Sequence, residues 1–529
     1  MRKIIIYVIL LFVTNNWIYA QQDSIATIID FQTRKFRSML ETLYEYSSDS
    51  VDIYTASDSA FSAMLKSVNK QNAYYPKSIW SKYFNSNQGE SESIGITIQL
   101  LADTIFILDV DQNSPAEDAK IQRGGVLISV NNIEANVNNY YKINSELRAK
   151  EGDTILVKWM NYKSLEVKTV SLICKKYDEP SIVSYFVIPD INTAYIKISR
   201  FSTKTYEEFT ELASKLSNKK KLEGIIIDLR DNSGGTLDAA LKMINEFMDV
   251  KDTIFESFAK KADFKYNTIS TGTGSFKKTP LIVLINGNSA SASEIFAGAI
   301  QDLDRGILIG EKTFGKGTMQ KNWNLIDTTG YKVTVAKFIT PSGRPIEKSK
   351  QEKLDIDPQL KLSDTSIYKQ LEKRLEEDNL PTKLDVYYTK RKKRPIINLG
   401  GIMPDITCGK DTITLLTDVL ISKGIMIEFV FKNLHLFSGI ANSTFEDFLF
   451  NYNVSDEILQ HLRVFSHNIK KIWNEEMFLK DKEIIRSKLK ANIAHYFWGS
   501  SAFYAVNALE DGVLKTAIKN RNQAVEIIK

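Results

Sequence analysis

The sequence predicts an α/β protein of several domains, and three observations carry the prediction. Downstream of residue 190, apolar runs of strand length alternate with amphipathic helical stretches, the pattern of a largely parallel sheet. Between residues 93 and 174 the pattern is instead one of short β-rich runs bounded by turns, a separate small module. The 529 residues also exceed what one core supports, at about 100–200 residues per domain.

Taken in order, residues 1–20 carry Arg2 and Lys3, an apolar run over 4–13 and then Ile18-Tyr19-Ala20, which reads as a cleaved secretory signal. The run is short for a membrane span, and no cysteine follows it to carry a lipid. Residues 21–92 form a helical region: Phe36, Met39, Leu40, Leu43 and Tyr44 recur at one-face spacing, as do Phe61, Met64, Leu65 and Val68, and both sets read as core stripes. Residues 93–176 hold the β-rich module, with strands near 104–110, 126–130 and 154–160 and one helix near 139–149. Residues 177–350 hold the α/β core, in which strands at 194–198, 224–229 and 281–285 alternate with helices at 206–216, 237–248 and 293–303. A charge-dense connector and return segment spans 351–413, and 414–529 is helical in pattern.

Composition narrows the function. Hydrophobic content of 43%, charged content of 25% and a net charge of +5 describe an ordinary globular chain. The basic run Thr389-Lys390-Arg391-Lys392-Lys393-Arg394 has no aromatic residue interleaved with its charges, so it reads as a solvated loop and not as a nucleic-acid surface. Cys174 and Cys408 form no disulfide framework, and two unpaired thiols are the simpler reading. The four histidines all lie in the last quarter, and His461 and His467 lack the i, i+4 spacing of a helical zinc site. No metal and no cofactor is implied.

Chemistry concentrates at Ser291, in Asn288-Ser289-Ala290-Ser291-Ala292-Ser293-Glu294, and Lys316, in Gly310-Glu311-Lys312-Thr313-Phe314-Gly315-Lys316-Gly317-Thr318-Met319-Gln320. A strand running into a tight turn and then a helix presents a side chain beside the free N–H groups of the helix N-terminus. Any of the three serines read alone is a helix cap. Lys316 changes that balance. A lysine takes a proton from serine only as a neutral amine, so its pKa must fall from about 10.4 toward roughly 7–8 by desolvation. Phe314 and Met319 are the neighbours expected to shelter it.

A distant histidine would have to fold back to build a Ser-His-Asp triad instead, which is less economical. Gly310, Gly315 and Lys316 also match G-x-x-x-x-G-K, but Gly317 stands where a phosphate loop places Ser or Thr, and a nucleotide site is rejected. A second turn, Asp228-Leu229-Arg230-Asp231-Asn232-Ser233-Gly234-Gly235-Thr236-Leu237, follows a buried strand and opens a helix. Its backbone is placed to give half of an oxyanion hole, with Ala292 giving the other half.

Together these segments, with Tyr195-Ile196-Lys197-Ile198-Ser199-Arg200-Phe201 and Thr340-Pro341-Ser342-Gly343-Arg344-Pro345-Ile346, resemble the blocks of the C-terminal processing peptidases, or tail-specific proteases, in the family's order. The resemblance implies a crotonase-like ββα protease core with an inserted PDZ domain and helical N- and C-terminal regions. It makes Ser291 the nucleophile, Lys316 the general base, Gln320 the residue that orients the lysine amine, Ala292 and Gly235 the oxyanion donors, and Asp302 a supporting acidic residue. The β-rich module resembles a PDZ domain, with Ser93, Ile94, Gly95 and Ile96 as its carboxylate-binding loop. Lys120 and Gly125 stand where that pattern usually has Gly and Asp, and 70–74 lacks the family's Asp-Pro-His-Ser turn. Gly400-Gly401-Ile402-Met403-Pro404-Asp405 and the helices after it look like the extended form of the family found in Bacteroidetes-type bacteria.

The implied function is an exported serine endopeptidase of the periplasm or envelope of a Gram-negative bacterium. Its partners would be proteins or peptides with accessible C-terminal tails, with an adaptor or activating partner compatible with the PDZ domain, and neither nucleic acid nor CoA. Two other readings are a non-catalytic PDZ-bearing scaffold and a crotonase-like acyl-CoA enzyme. The intact Ser, Lys and Gln set opposes the first, and export opposes the second.

Overall fold

The computed structural model describes residues 25–219, 221–347, 385–409 and 412–529, so the expected signal segment lies outside the described residues. The chain divides into two compact units, residues 1–77 with 321–334 and residues 78–320 with 335–529.

In the first unit a helix over 25–46 precedes helix Ile53–Val68 and strand Ala73–Tyr75. That strand pairs antiparallel with the segment containing Gly330 and Lys332. Phe36, Phe61 and Tyr74 form a small aromatic row, with ring centroids 6.0 and 5.5 Å apart. The expected core stripes are not buried: Met39, Leu43, Tyr44, Met64 and Val68 are exposed, and no residue of Ile53–Val68 is fully buried. Among the described residues, two helices beside a short strand and the 321–334 hairpin segment make too few layers to enclose an apolar face.

The second unit is built on a six-stranded sheet of β1 (Ile182–Ile188), β2 (Thr193–Ile198), β3 (Gly224–Asp228), β4 (Leu281–Ile285), β5 (Ile307–Gly310) and β6 (Ile406–Thr407), adjacent in that order. β1 and β2 are antiparallel, and every later pairing is parallel. Every residue of β3, β4 and β5 is buried, because both faces of the sheet are covered. One face carries α1 (Thr205–Lys219), α2 (Leu237–Phe247) and α3 (Ala292–Asp302), which pack Phe209, Met243 and Phe296 against Ile225, Ile227 and Val283. The other face meets the C-terminal helices through Ile226, Ile282 and Ile307. Those helices start at side-chain caps, among them Thr414, Thr444, Ser455, Asn474 and Asp511.

The β-rich module is a sheet of Ile96–Leu101, Thr104–Val110, Val126–Val130, Thr154–Met160 and Val167–Ile173, with Ile96–Leu101 at one edge and helix Tyr140–Glu146 nearby in sequence. Leu101 and Phe106 of this sheet join the cluster of the C-terminal helices, where the Phe106 and Phe431 rings lie 5.4 Å apart.

The basic run differs from a solvated loop. It forms the turn between strands Val386–Tyr388 and Pro395–Ile397, and its arginines meet acidic partners on the core. Arg391 pairs with Asp249 at 2.8 Å, while Arg394 pairs with Asp304 at 2.7 Å and Asp405 at 2.6 Å. The lysines remain exposed. Charge density in sequence carried no record of the carboxylates that folding brings opposite.

Candidate active site

β4 ends at Ile285, and the chain turns through Asn286–Ala290 into α3 with Ser291 at the helix boundary. Ser291 has φ 56° and ψ −113°, a left-handed setting for a residue with a Cβ, which costs on the order of 1–3 kcal/mol and concentrates at functional turns. The three serines separate by environment. Ser289 is buried and its Oγ donates to the Leu229 carbonyl at 2.8 Å; Ser293 is buried and its Oγ donates to the Asn232 carbonyl at 2.9 Å. Ser291 alone of the three is partly exposed.

A wholly buried carboxylate, Glu294, ties this turn to the lysine loop. Its Oε2 accepts the Ser291 N–H at 2.8 Å and the Lys316 N–H at 2.8 Å, so the two amide nitrogens lie within twice that distance of each other. Its Oε1 accepts the Gly315 N–H at 2.7 Å and the Thr313 hydroxyl at 2.6 Å. Burial pushes the Glu294 carboxyl above its ordinary value, while the four donors pull the other way. Neither the Gly315 nor the Lys316 amide therefore faces outward to cradle a phosphate. Lys316 is half-buried, and its Nζ donates to Gln320 Oε1 at 2.9 Å. Met319 packs on the core, whereas Phe314, expected to shelter the lysine, is 47% exposed.

The loop after β3 lies against the same turn. A Cβ on Gly234 would stand 2.9 Å from the Ser291 Cβ and 3.0 Å from the Ala292 nitrogen. The Gly234 N–H is taken by Asn232 Oδ1 at 2.9 Å. Gly235 has φ 139°, and a Cβ there would stand 2.0 Å from the Phe201 carbonyl oxygen, so only glycine fits. Ala292 holds the first helical position, where an N–H has no partner within the helix.

Asp302 lies at the far end of α3, roughly 15 Å along the helix from Ser291. It forms an ion pair at 2.8 Å with Arg344, both side chains fully buried, and its Oδ2 accepts the Ser342 N–H. Its contacts tie the 340–346 turn to the helix that carries the serine. Ser93, Ile94, Gly95 and Ile96 sit in the β-rich module. The Ser93 Oγ lies 2.8 Å from the Tyr177 hydroxyl and accepts the Gly95 N–H at 3.0 Å, and Ile94 is wholly buried. Lys120, in a place where glycine is usual, does take φ 57°.

Sequence reasoning passed over Glu294 and Thr313. The signal for Glu294 was present as Ser-x-x-Glu across the helix start, the capping-box spacing. Thr313 had no such signal. Among the described residues no group of three or more His, Cys, Asp or Glu gathers as a metal site, and Cys174 and Cys408 are free thiols.

The sequence profile of Peptidase family S41 matches residues 192–362, and that of a family of unknown function matches residues 417–499. The chain is 30% identical over 356 residues to the carboxy-terminal processing protease CtpA of Bacillus subtilis, covering 66% of this chain and 73% of that protein. It is 28% identical over 356 residues to the carboxy-terminal-processing protease of Bartonella bacilliformis, covering 65% and 80%. Among solved structures it is similar to a photosystem II D1 C-terminal processing protease at 23% identity, with a TM-score of 0.34, over 58% of this chain and 82% of that one.

Proposed function

The chain belongs to peptidase family S41, the carboxy-terminal processing serine peptidases, and on that premise we propose that Ser291 and Lys316 are its catalytic pair, acting on the C-terminal tails of exported proteins. The Ser291 hydroxyl attacks the scissile carbonyl carbon while neutral Lys316 takes its proton. Collapse of the tetrahedral intermediate breaks the C–N bond, and the lysine returns that proton to the leaving amine. Water then attacks the acyl-enzyme with Lys316 again as base, releasing the second product and restoring the serine. Gln320 holds the amine by its 2.9 Å contact. The Ala292 and Gly235 amides face the developing oxyanion, and Asp302 supports the helix from its other end.

One observation supports this reading above the others: the amides of Ser291 and Lys316 share one oxygen of Glu294, which ties the backbones of the proposed nucleophile and base to each other. Tail selection is assigned to the β-rich module acting as a PDZ domain. Among the described residues its strand Ile96–Leu101 pairs on one side only, which leaves an edge for strand addition beside the 93–96 loop. Location outside the cytoplasm rests on the signal pattern of residues 1–20, and no helix among the described residues is long and apolar enough to cross a membrane.

The test is cleavage of an unstructured peptide by wild type, Ser291→Ala and Lys316→Ala, with labelling by an active-site serine reagent. Both variants should lose cleavage, Ser291→Ala should lose the label, and EDTA should change nothing. Retained cleavage in either variant overturns the assignment.

A further inference from the structure

The loop that abuts Ser291 is anchored from outside the α/β core. Asp228 ends β3 on the face of Ile226, which the C-terminal helices cover, and Arg230, just beyond the strand, reaches the same side through its contacts with Asp228 and Asp511. There they border a cavity of about 690 Å³ between the strand ends and those helices. Arg230 grips the buried Asp228 through Nη2 at 2.7 Å and Nε at 3.0 Å, and it also bonds Asp511 Oδ2. Asp511 is the N-cap of helix Gly512–Lys519, its Oδ1 accepting the Val513 N–H at 2.6 Å. Tyr195 donates its hydroxyl to Asp228 at 2.6 Å, and Lys197 donates to the Arg230 carbonyl at 3.0 Å. Side chain and backbone of Arg230 are both held.

The next residues carry that constraint to the serine. Asp231 has φ 64°; its N–H donates to Asn286 Oδ1 at 3.0 Å, and its Oδ1 accepts Asn286 Nδ2 at 3.0 Å and Asn288 Nδ2 at 2.8 Å. The Asn232 carbonyl accepts the Ala290 N–H at 3.0 Å and the Ser293 hydroxyl at 2.9 Å. Gly234 then packs on Ser291 itself. An oxyanion hole needs its donors fixed to within about 0.5 Å. The core holds the far end of the loop, where the Phe201 N–H donates to the Gly234 carbonyl at 2.8 Å and Asn232 Nδ2 to the Ile198 carbonyl at 3.1 Å, and Arg230 holds the near end.

We infer that Asp511, from the C-terminal helical region, is a positioning residue for the peptidase reaction: through Arg230 it fixes the 231–235 loop against Ser291. This rests on the proposed catalytic reading, and it makes the C-terminal helices part of the catalytic apparatus. Loss of the strut should lower kcat and leave KM unchanged, because the loop serves the transition state and not tail binding.

The clean variant is Asp511→Asn, since asparagine caps a helix about as well as aspartate but carries no charge for Arg230. In the full chain, kcat for an unstructured peptide should fall about tenfold with KM within twofold, and amide exchange across 231–235 should rise. Glu510→Gln, on the adjacent residue and paired with Lys515, is the control for general loosening and should keep wild-type kcat. Asp511→Asn with kcat within twofold of wild type, or with exchange across 231–235 unchanged, overturns the inference. An equal fall in Glu510→Gln overturns it as well. An inactive wild-type chain overturns it by a different route, by removing the peptidase reading beneath it.

Discussion

Glu294→Gln removes one oxygen from the carboxylate that joins the nucleophile turn to the lysine loop. In the native chain each oxygen accepts two donors: Ser291 and Lys316 amides on Oε2, Gly315 amide and Thr313 hydroxyl on Oε1. A carboxylate is acceptor-only and meets all four, whereas an amide keeps one acceptor and turns an NH₂ toward the other two donors. Whichever way the glutamine faces, two buried donors lose their acceptor, at about 1–3 kcal/mol each. If half of that appears as displacement of Ser291 from Lys316 in the transition state, the barrier rises by about 1–3 kcal/mol and kcat falls roughly 5- to 150-fold. The assay is steady-state hydrolysis of a fluorogenic unstructured peptide, with circular dichroism to show that the variant is folded. Protonation has a related effect. Burial raises the Glu294 carboxyl, so as pH falls through that raised value an O–H is added to a site already full of donors, and wild-type kcat should lose an extra increment that Glu294→Gln lacks. A folded variant with kcat within twofold of wild type, and the same acid limb, would refute the reasoning.

Gln320→Ala removes the acceptor on the lysine amine and should lower kcat about 10- to 100-fold with the fold unchanged, read by the same peptide assay. Asp302→Ala strands the buried Arg344 guanidinium and should cost about 3–5 kcal/mol in urea unfolding, far more than its distance from Ser291 would imply for activity alone. Asp228 is wholly buried, and burial alone would raise its carboxyl, but the Arg230 and Lys197 charges, with hydrogen bonds from Arg230 and Tyr195, bring it down to about 2. Its unfolded value lies near 4, so its contribution, on the order of 2 kcal/mol, is full above that pH and is lost as pH falls toward 2. The stability gap between wild type and Asp228→Asn should therefore close over that window in urea titrations; a constant gap would contradict the assignment.

Much of the architecture was legible because it is written in short-range periodicity. The all-buried runs 224–228 and 281–285 announced strands covered on both faces, and the stretches after them carried helical spacing. The serine turn was legible for the same reason, since strand, small residues and helix follow one another within fifteen positions. The N-terminal helices show the limit of that signal: Met39 and Leu43 have core spacing but remain exposed, because periodicity marks a face and does not supply what covers it. Phe314 failed as a shelter for Lys316 on similar grounds, as adjacency in sequence does not fix which way a loop side chain turns.

The sequence by itself determined the order of elements, the tight turn at Ser291 and the lysine that follows it, all properties of neighbouring residues acting through propensity and steric limits. Tertiary structure alone decided which groups meet: Glu294 with the 313–316 loop, Arg394 with Asp304 and Asp405, and Arg230 with Asp511, 281 residues away. Such pairings depend on how a folded chain closes in space, and complementary charges scattered along 529 residues admit many closures until packing of the sheet between two helical layers selects one.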